Sequence, residues 1–440
     1  MKENILKQIV IKQKKQEKLG IYSCCSANEF VLRAAIEKAK RNHSVVLIES
    51  TANQVDQNGG YTGMKPIDFH LFVEEICNEI GYDMNKIILG GDHLGPLTWA
   101  HLKEEEAMKQ AEILIMSYVE AGFTKIHVDT SMKLASDNND ERLSDEIIAK
   151  RGARLIRIAN ETYQKLLEKN PQAVKPVYII GSEVPIPGGA NADSNEDSIE
   201  VTKVEDLRNT LKAFKNAFDK ENIMELWEDV IAVVVQPGIE EKDTGCTEYD
   251  PIKAKSLMNE IKQYPGLVYE GHSTDYQTKK KLRQLVEDGV AILKVGPALT
   301  FALREGLFSL AYMEDILVEK SEDKSNFIEI LEKEMLNDSR KWDKYYLGSK
   351  HDIFIKRKFS FSDRCRYYLP NENVNQAVHK MINNLSQFEE LPLSLISQFL
   401  PQQYIKIREC KLQNNPEELL KDKIGQVIDD YLYATKQELL

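Results

Sequence analysis

The 440-residue chain lacks any hydrophobic run long enough to cross a membrane, and its net charge of −12 leaves no excess of positive charge. A membrane-spanning helix needs about 20 consecutive apolar residues, and binding to nucleic acid or anionic lipid needs a basic surface. Neither class of protein is therefore expected. The lysine-rich N-terminal segment has neither the apolar core nor the cleavage site of a signal peptide, so we expect a cytoplasmic location.

Cysteine is scarce, and three nucleotide-binding motifs are missing. The six cysteines form no CxxC pair, and we expect reduced, mostly buried thiols. No GxGxxG follows the first predicted strand, which disfavours a doubly wound open sheet, the main alternative architecture. No GxxxxGK[ST] motif or kinase glycine loop occurs, which argues against phosphoryl transfer from a nucleotide.

Eight short segments rich in β-branched residues alternate with helical patterns between residue 18 and about residue 312. Alternation of this kind is typical of parallel strands with helical crossovers, and eight units match a closed barrel. We therefore predict an α/β fold, with a (β/α)8 TIM barrel over residues 1–315 and a charged α-helical extension over residues 316–440. The predicted strands span 20–26, 45–50, 87–93, 125–129, 177–183, 230–238, 267–273 and 290–297.

Three of the eight histidines lie near the ends of predicted strands, where barrels of this type carry catalytic residues. His93, Glu183 and His272 lie on the third, fifth and seventh predicted strands. Alternate strands place side chains in one interior layer, so these three residues predict a metal site with an open position. Zinc is the first choice, with manganese, cobalt or nickel as alternatives. Buried, hydrogen-bonded polar residues without a metal are the other interpretation.

The fourth predicted strand carries two polar residues on one face, His127 and Asp129. Asp129 lies at the very end and is the better candidate for the site. His127 lies deeper, where it either supports a metal ligand from behind or fills a polar position in the core.

The ends of the seventh and eighth predicted strands favour a phosphate site, because loops there often bind phosphate through backbone N–H groups. Lys294 adds a cation, although a salt bridge inside the barrel is the alternative for it. A glycine-rich loop follows the second strand, and an aromatic-basic segment covers residues 359–370, where surface ion pairs are the alternative. The candidates for substrate or phosphate binding are Asn53, Gln54, Gln236, Ser273, Thr274, Asp275, Lys294, Gly296, Arg364 and Arg366.

Long segments of the chain resemble the Z-type subunit of class II D-tagatose-1,6-bisphosphate aldolases. They include ESTANQVDQNGGYTGMKP, ILGGDHLGP, GSEVPIPGG, YEGHSTDYQT, ILKVGPALTFALRE and SDRCRYYLP, in order along nearly the whole chain. The resemblance implies a class II aldolase-like barrel, a phosphorylated ketohexose as substrate and a place in galactitol catabolism. Z subunits are described as non-catalytic partners of a catalytic Y subunit and have been called tagatose-6-phosphate kinases. Some related members are 4-epimerases of tagatose 6-phosphate and fructose 6-phosphate.

Similarity to the catalytic class II aldolases also implies residue roles. Asp92-His93 matches their Asp-His pair, in which the histidine binds metal and the aspartate protonates the C4 oxygen. The segment from His272 is similar to their metal ligand followed by a phosphate-binding loop, and Glu183 resembles their glutamate. Gln236 stands in the region of a further metal histidine of these aldolases, so the site must recruit Glu183 or Asp129, or else bind metal weakly.

These observations favour an enzyme over a scaffold, because a scaffold has no need for Asp92, His93, Glu183 and His272 at one rim. We expect retro-aldol and aldol chemistry at C3–C4, with Asp92, Glu183 and Asp129 as catalytic residues. The expected outcome is 4-epimerisation of ketohexose 6-phosphates. The alternative is a non-catalytic accessory subunit that stabilises a Y-type aldolase subunit, and we also expect a homo-oligomer.

Overall fold

The computed structural model describes residues 3–138, 140–181 and 199–440. Eight parallel strands close a barrel, with β8 hydrogen-bonded to β1 through pairs such as Ile21 and Ile292. The predicted (β/α)8 barrel is confirmed. The strands are β1 Ile21–Cys25, β2 Val46–Thr51, β3 Ile87–Leu94, β4 Lys125–Val128, β5 Val177–Ile180, β6 Val230–Val235, β7 Val268–Gly271 and β8 Val290–Val295. A two-stranded hairpin, Glu240–Glu241 and Cys246–Thr247, follows β6.

Helices surround the barrel and form the C-terminal extension. The first nine are α1 Leu6–Lys14, α2 Glu29–Arg41, α3 Pro66–Ile80, α4 Glu104–Glu120, α5 Asp145–Lys169, α6 Val204–Lys220, α7 Lys255–Glu260, α8 Lys279–Asp288 and α9 Pro297–Leu317. The remaining six are α10 Phe327–Asn337, α11 Lys350–Phe359, α12 Glu372–Leu385, α13 Leu393–Phe399, α14 Pro401–Arg408 and α15 Pro416–Thr435. No helix in the described ranges combines the length and hydrophobicity needed to cross a bilayer.

The strands are buried on both faces, which explains their nearly continuous hydrophobic sequences. In β6, all six residues of VIAVVV are buried. The N-terminal end of the barrel is filled by an apolar cluster that includes Ile21, Leu47 and Ile231, and Leu6 and Ile9 of α1 pack into it. Since the N-terminal end is closed by this apolar layer, polar chemistry is confined to the C-terminal mouth.

The C-terminal extension packs directly on the barrel. Helix α15 lies against α2, α8, α9 and β1. The side chain of Gln437 accepts a hydrogen bond from the Tyr22 N–H and donates one to the Val45 carbonyl. The predicted division at residues 315 and 316 falls in the last turn of α9, and it stays a prediction.

A segment of the extension, residues 360–368, crosses the mouth of the barrel. The Phe361 N–H donates to the Asp243 carbonyl, and the Tyr276 hydroxyl donates to the Phe361 carbonyl over 2.6 Å. The rings of Tyr276 and Phe361 stack with centroids 4.2 Å apart. These contacts hold the aromatic-basic segment over the strand ends.

Candidate active site

Three histidines form a triangle at the C-terminal mouth of the barrel. The ring centroids of His93, His127 and His272 lie 5.0 to 5.2 Å apart. His93 lies near the end of β3, His127 lies on β4 and His272 follows β7, so three separate strands position them. His93 has a φ of 50°, a left-handed conformation that is uncommon outside glycine and that occurs preferentially at functional sites.

Each ring has one nitrogen held by an oxygen at the edge of this triangle. His93 Nδ1 lies 3.0 Å from Asp129 Oδ2, and His272 Nε2 lies 3.0 Å from Glu270 Oε1. His127 Nε2 lies 2.9 Å from the Gly181 carbonyl oxygen. Hydrogen bonds of this kind fix the orientation of a metal-binding histidine ring.

Asp92 lies beside the same triangle. Its Oδ1 is 2.7 Å from His127 Nδ1, and its Oδ2 is 3.6 Å from His93 Nε2. Potential ligand atoms of Asp92, His127, Glu270 and His272 all lie within 4.8 Å of one another. Ligand bonds of about 2 Å separate two ligands of one ion by up to about 4 Å, so a small inward shift would complete a divalent-metal site.

The charge state of His272 suits a metal ligand. Burial and the nearby Lys294 ammonium hold the pKa of His272 well below its usual value. The ring is therefore neutral near pH 7, which is the form of histidine that binds metal. The donor set fits a divalent ion on chemical grounds as well as by spacing.

A layer of buried charges lies beneath the histidines. Lys125 Nζ is 2.5 Å from Glu49 Oε1 and 2.8 Å from Glu270 Oε2. Lys294 Nζ contacts Asp92 and lies 3.8 Å from Glu49 Oε2. Burial alone would raise the pKa of Glu270, but the charges of Lys125 and Lys294 and a hydrogen bond from His272 hold it below its usual range. The Glu270 carboxylate is thus kept ionised beside His272.

Apart from Lys294, for which a salt bridge inside the barrel was one of two alternatives, this charged layer was not predicted from the sequence. Glu49 and Glu270 lie inside β2 and β7, and Lys125 is the first residue of β4. A charged residue in a strand buried on both faces needs a buried partner of opposite charge. That signal was available, although the pairing of the strands was needed to interpret it.

A cavity of about 380 Å³ opens above the histidines. It brings together eleven of the predicted site residues. They are Asn53, Gln54, Asp92, His93, Asp129, His272, Ser273, Asp275, Lys294, Gly296 and Arg366. Cys25, Tyr61, Glu241 and Tyr367, which were not among the predicted site residues, also line the cavity.

Three predicted substrate contacts lie elsewhere. Gln236 lines a neighbouring cavity, and its Oε1 accepts the N–H groups of Gly238 and Ile239. The Thr274 hydroxyl donates to the Lys294 carbonyl, and the Arg364 guanidinium packs over the Tyr345 ring. Glu183, predicted as a metal ligand and catalytic residue, lies outside the described residues.

The predicted phosphate position at the start of α9 is occupied by a carboxylate. Asp275 Oδ1 accepts the N–H groups of Gly296 and Ala298 over 3.0 and 2.8 Å. Burial and the neighbouring Glu241 raise the pKa of Asp275 to about 7. An acidic side chain therefore takes the hydrogen bonds that a phosphate would need there.

The extension contributes two cavity residues, Arg366 and Tyr367. The Arg366 guanidinium donates to the Asp363 carbonyl over 3.0 Å and to the Tyr367 hydroxyl over 3.1 Å. The Tyr367 ring meets the edge of Tyr61, with centroids 5.1 Å apart. This arrangement brings a guanidinium and two phenols to the rim opposite the charged layer.

Comparison with known proteins places this site in a family. Residues 6–436 match the family described as D-tagatose-1,6-bisphosphate aldolase subunit GatZ/KbaZ-like. The chain belongs to this family. The resemblance to Z-type subunits is therefore confirmed.

One solved structure is similar to this chain over most of its length. A crystal structure of a probable tagatose 6-phosphate kinase from Sinorhizobium meliloti 1021 is 40% identical, covers 94% of this chain and 100% of its own, and superposes with a TM-score of 0.84. The YdjI aldolase from Escherichia coli K12 is 11% identical, with 86% and 100% of the chains covered and a TM-score of 0.41. A fructose-bisphosphate aldolase from Campylobacter jejuni is 16% identical, with 86% and 91% covered and a TM-score of 0.40. The last two are too distant to bear on the function.

Proposed function

We propose that this GatZ/KbaZ-like chain is an enzyme that interconverts tagatose 6-phosphate and fructose 6-phosphate with a divalent metal. The supporting observation is the triangle of His93, His127 and His272 around Asp92, with an outer hydrogen bond on every ring. A purely structural subunit gains nothing from three oriented imidazoles, two of which, His93 and His272, line an open cavity.

The three histidines would hold the metal, with Asp92 beside it. A histidine-rich set with an open position favours zinc, and manganese, cobalt or nickel are alternatives. When bound, the ion would polarise the ketose carbonyl and so ease cleavage of the neighbouring C3–C4 bond. Glu183 stays a predicted further ligand.

Asp92 is the proposed proton carrier. Burial alone would raise its pKa, but the charges of His93, Lys294 and His127 hold it well below the usual value, so the carboxylate is ionised. It accepts the proton of the C4 hydroxyl as the C3–C4 bond breaks, and it returns that proton after the aldehyde has turned over. Release of the aldehyde instead would give aldolase cleavage.

Asp129 and the rim residues hold the reactants in place. Asp129 orients His93 through the contact with its Nδ1. Arg366, with Tyr367 beside it, binds the 6-phosphate, since a guanidinium forms paired hydrogen bonds with phosphate oxygens. Asn53 and Gln54 line the cavity and offer amides to the sugar hydroxyls.

The test is incubation of the purified chain alone with a divalent metal and fructose 6-phosphate, with both ketose phosphates followed by chromatography. We expect tagatose 6-phosphate to form. Asp92→Asn should lower the rate by about 10²- to 10⁴-fold because it removes the proton acceptor, whereas Asp219→Asn, at an exposed position of α6, should not. Full activity of Asp92→Asn would contradict the mechanism.

The second candidate is an accessory subunit, which the family description as an aldolase subunit favours. If the chain alone converts nothing but strongly activates an added Y-type subunit, the accessory role is correct. The kinase name of the Sinorhizobium meliloti relative finds no support in this sequence, which has no nucleotide-phosphate motif. Formation of ADP from ATP and tagatose 6-phosphate would overturn that conclusion.

A further inference from the structure

The N-terminus of α9 has no hydrogen-bond donor left for an anion. Asp275 takes the N–H groups of Gly296 and Ala298, and Pro297 has none. The next two N–H groups, of Leu299 and Thr300, both donate to the Gly296 carbonyl. The position at which barrels usually bind phosphate is therefore filled by the protein itself.

A second carboxylate faces the cavity beside Asp275. Glu241 lies on the hairpin after β6, is 5% exposed and lines the cavity. Its side chain hydrogen-bonds with Ser273, and its Oε2 has no hydrogen-bond partner. A hydroxyl group of a ligand can donate a hydrogen bond to such a buried oxygen that faces the cavity.

The cations of the cavity suffice for one phosphate. Among the described residues that line it, two carry a permanent positive charge, Lys294 and Arg366. Lys294 is already paired with Asp92. Arg366 remains for a single phosphate, and its charge already acts on Glu241 and Asp275, where it opposes the rise in their pKa values. A second phosphate would face these two carboxyl groups with no further cation among the described lining residues.

We propose that Glu241 and Asp275 make this chain selective for ketoses with a free C1 hydroxyl, by bonding that hydroxyl and repelling a phosphate at C1. The inference rests on the proposed function, which puts the C3–C4 bond at Asp92 and the 6-phosphate at Arg366. C1 lies on the other side of the C2 carbonyl, towards the start of α9. Ketose 1-phosphates and 1,6-bisphosphates are therefore excluded ligands.

The test is calorimetric titration of the zinc-loaded chain at pH 8, where Asp275 with its pKa of about 7 is mostly ionised, with fructose 6-phosphate, fructose 1-phosphate and fructose 1,6-bisphosphate. Epimerisation during the titration leaves the position of the phosphate unchanged. We expect fructose 6-phosphate to bind at least about 10-fold more tightly than either of the others, a modest factor for a phosphate placed against two carboxylates. The double variant Glu241→Gln/Asp275→Asn should reduce this factor to below about 3 while the zinc content stays the same.

The matched control is Glu240→Gln, which removes a carboxylate from the adjacent position of the same hairpin. Glu240 is not among the described residues lining the cavity, so this variant should still bind fructose 6-phosphate more tightly than the 1-phosphate and the bisphosphate. The proposal is overturned if the bisphosphate or the 1-phosphate binds as tightly as the 6-phosphate, or if the double variant keeps the preference. A chain that binds as expected but converts no fructose 6-phosphate disproves the proposed reaction and leaves the specificity standing.

Discussion

Glu270 connects two parts of the site, because one of its oxygens meets Lys125 and the other meets His272. Carboxylates in this position set the tautomer and basicity of a metal-binding histidine. We predict that Glu270→Gln lowers zinc affinity by about 10- to 100-fold, measured by titration against a competing chelator. At saturating zinc, most of the activity should return.

Glu260→Gln is the control for Glu270→Gln. Glu260 is also a buried glutamate, but it pairs with Arg208 on the outer layer of the barrel. Its variant should bind zinc as the unchanged chain does. If Glu270→Gln binds zinc as tightly as the unchanged chain, Glu270 only neutralises the buried charge of Lys125 and has no role in metal binding.

Glu240 predicts a pH dependence of stability. Burial and the charge of Glu241 raise its pKa to about 8 from an ordinary value of 4.5. Between these values the folded chain holds a proton that the unfolded chain has lost, so this group makes stability fall as pH rises. Because of Glu240, the free energy of unfolding falls by up to about 1.4 kcal/mol for each pH unit in this range.

Denaturant unfolding at pH 5 to 8 tests the contribution of Glu240. Glu240→Gln cannot titrate, so its stability relative to the unchanged chain should increase steadily over this range. Glu319→Gln, at an exposed position, should run parallel to the unchanged chain. If the stability of Glu240→Gln instead changes with pH in parallel with that of the unchanged chain, the Glu240 carboxylate is solvated in the folded state.

At the scale of the elements, α15 is the part of the extension that most directly completes the barrel. Ile428 is fully buried where α15 meets the barrel helices. Ile428→Ala should cost about 2 to 5 kcal/mol of unfolding free energy, the range for large-to-small changes in a packed core. Ile405→Ala, on α14 with 53% of the residue exposed, should cost less than about 1 kcal/mol. If chemical denaturation shows that the two variants lose similar amounts of unfolding free energy, the packing of α15 described here is contradicted.

The sequence predicted the elements better than it predicted the contacts between them. The eight strands followed from their β-branched sequences, because parallel strands are buried on both faces. The position of His127 in the triangle depends on how β3, β4 and β7 are placed around the closed barrel, which no local pattern encodes. Thr274 looked like a ligand residue because of its place after β7, but its hydroxyl bonds Tyr431 of α15, from the far end of the chain.

The same limit applies to the predicted phosphate site. The segment after β8 has the composition of a phosphate loop, and a helix does begin there. Asp275, from the loop after β7, accepts the N–H groups at the start of this helix. This contact depends on the tertiary structure, so the sequence of either segment alone does not predict it. Arg364 and Arg366 are two residues apart, yet one packs on Tyr345 and the other faces the cavity. The segment Arg364–Tyr367 forms a single 3₁₀ turn, in which residues two apart point to different sides, and this turn was not predicted from the sequence.

At the scale of the whole molecule, a metal at the histidine triangle would join β3, β4 and the segment after β7 across the barrel. The unfolded chain does not hold these residues together, so binding must stabilise the folded state. We predict that zinc at 100 times its dissociation constant adds about 2.7 kcal/mol to the free energy of unfolding. Denaturant unfolding with and without chelator measures this difference.

The double variant His127→Ala/His272→Ala should lose this gain, because it removes ligands from two of the three elements. His101→Ala, at an exposed position, should keep it, which separates the site from adventitious binding to surface histidines. Activity need not be measured, so the result stands whether the chain works alone or beside a Y-type subunit. If zinc still stabilises the double variant, the metal binds elsewhere. The mechanism proposed for the histidine triangle would then be wrong.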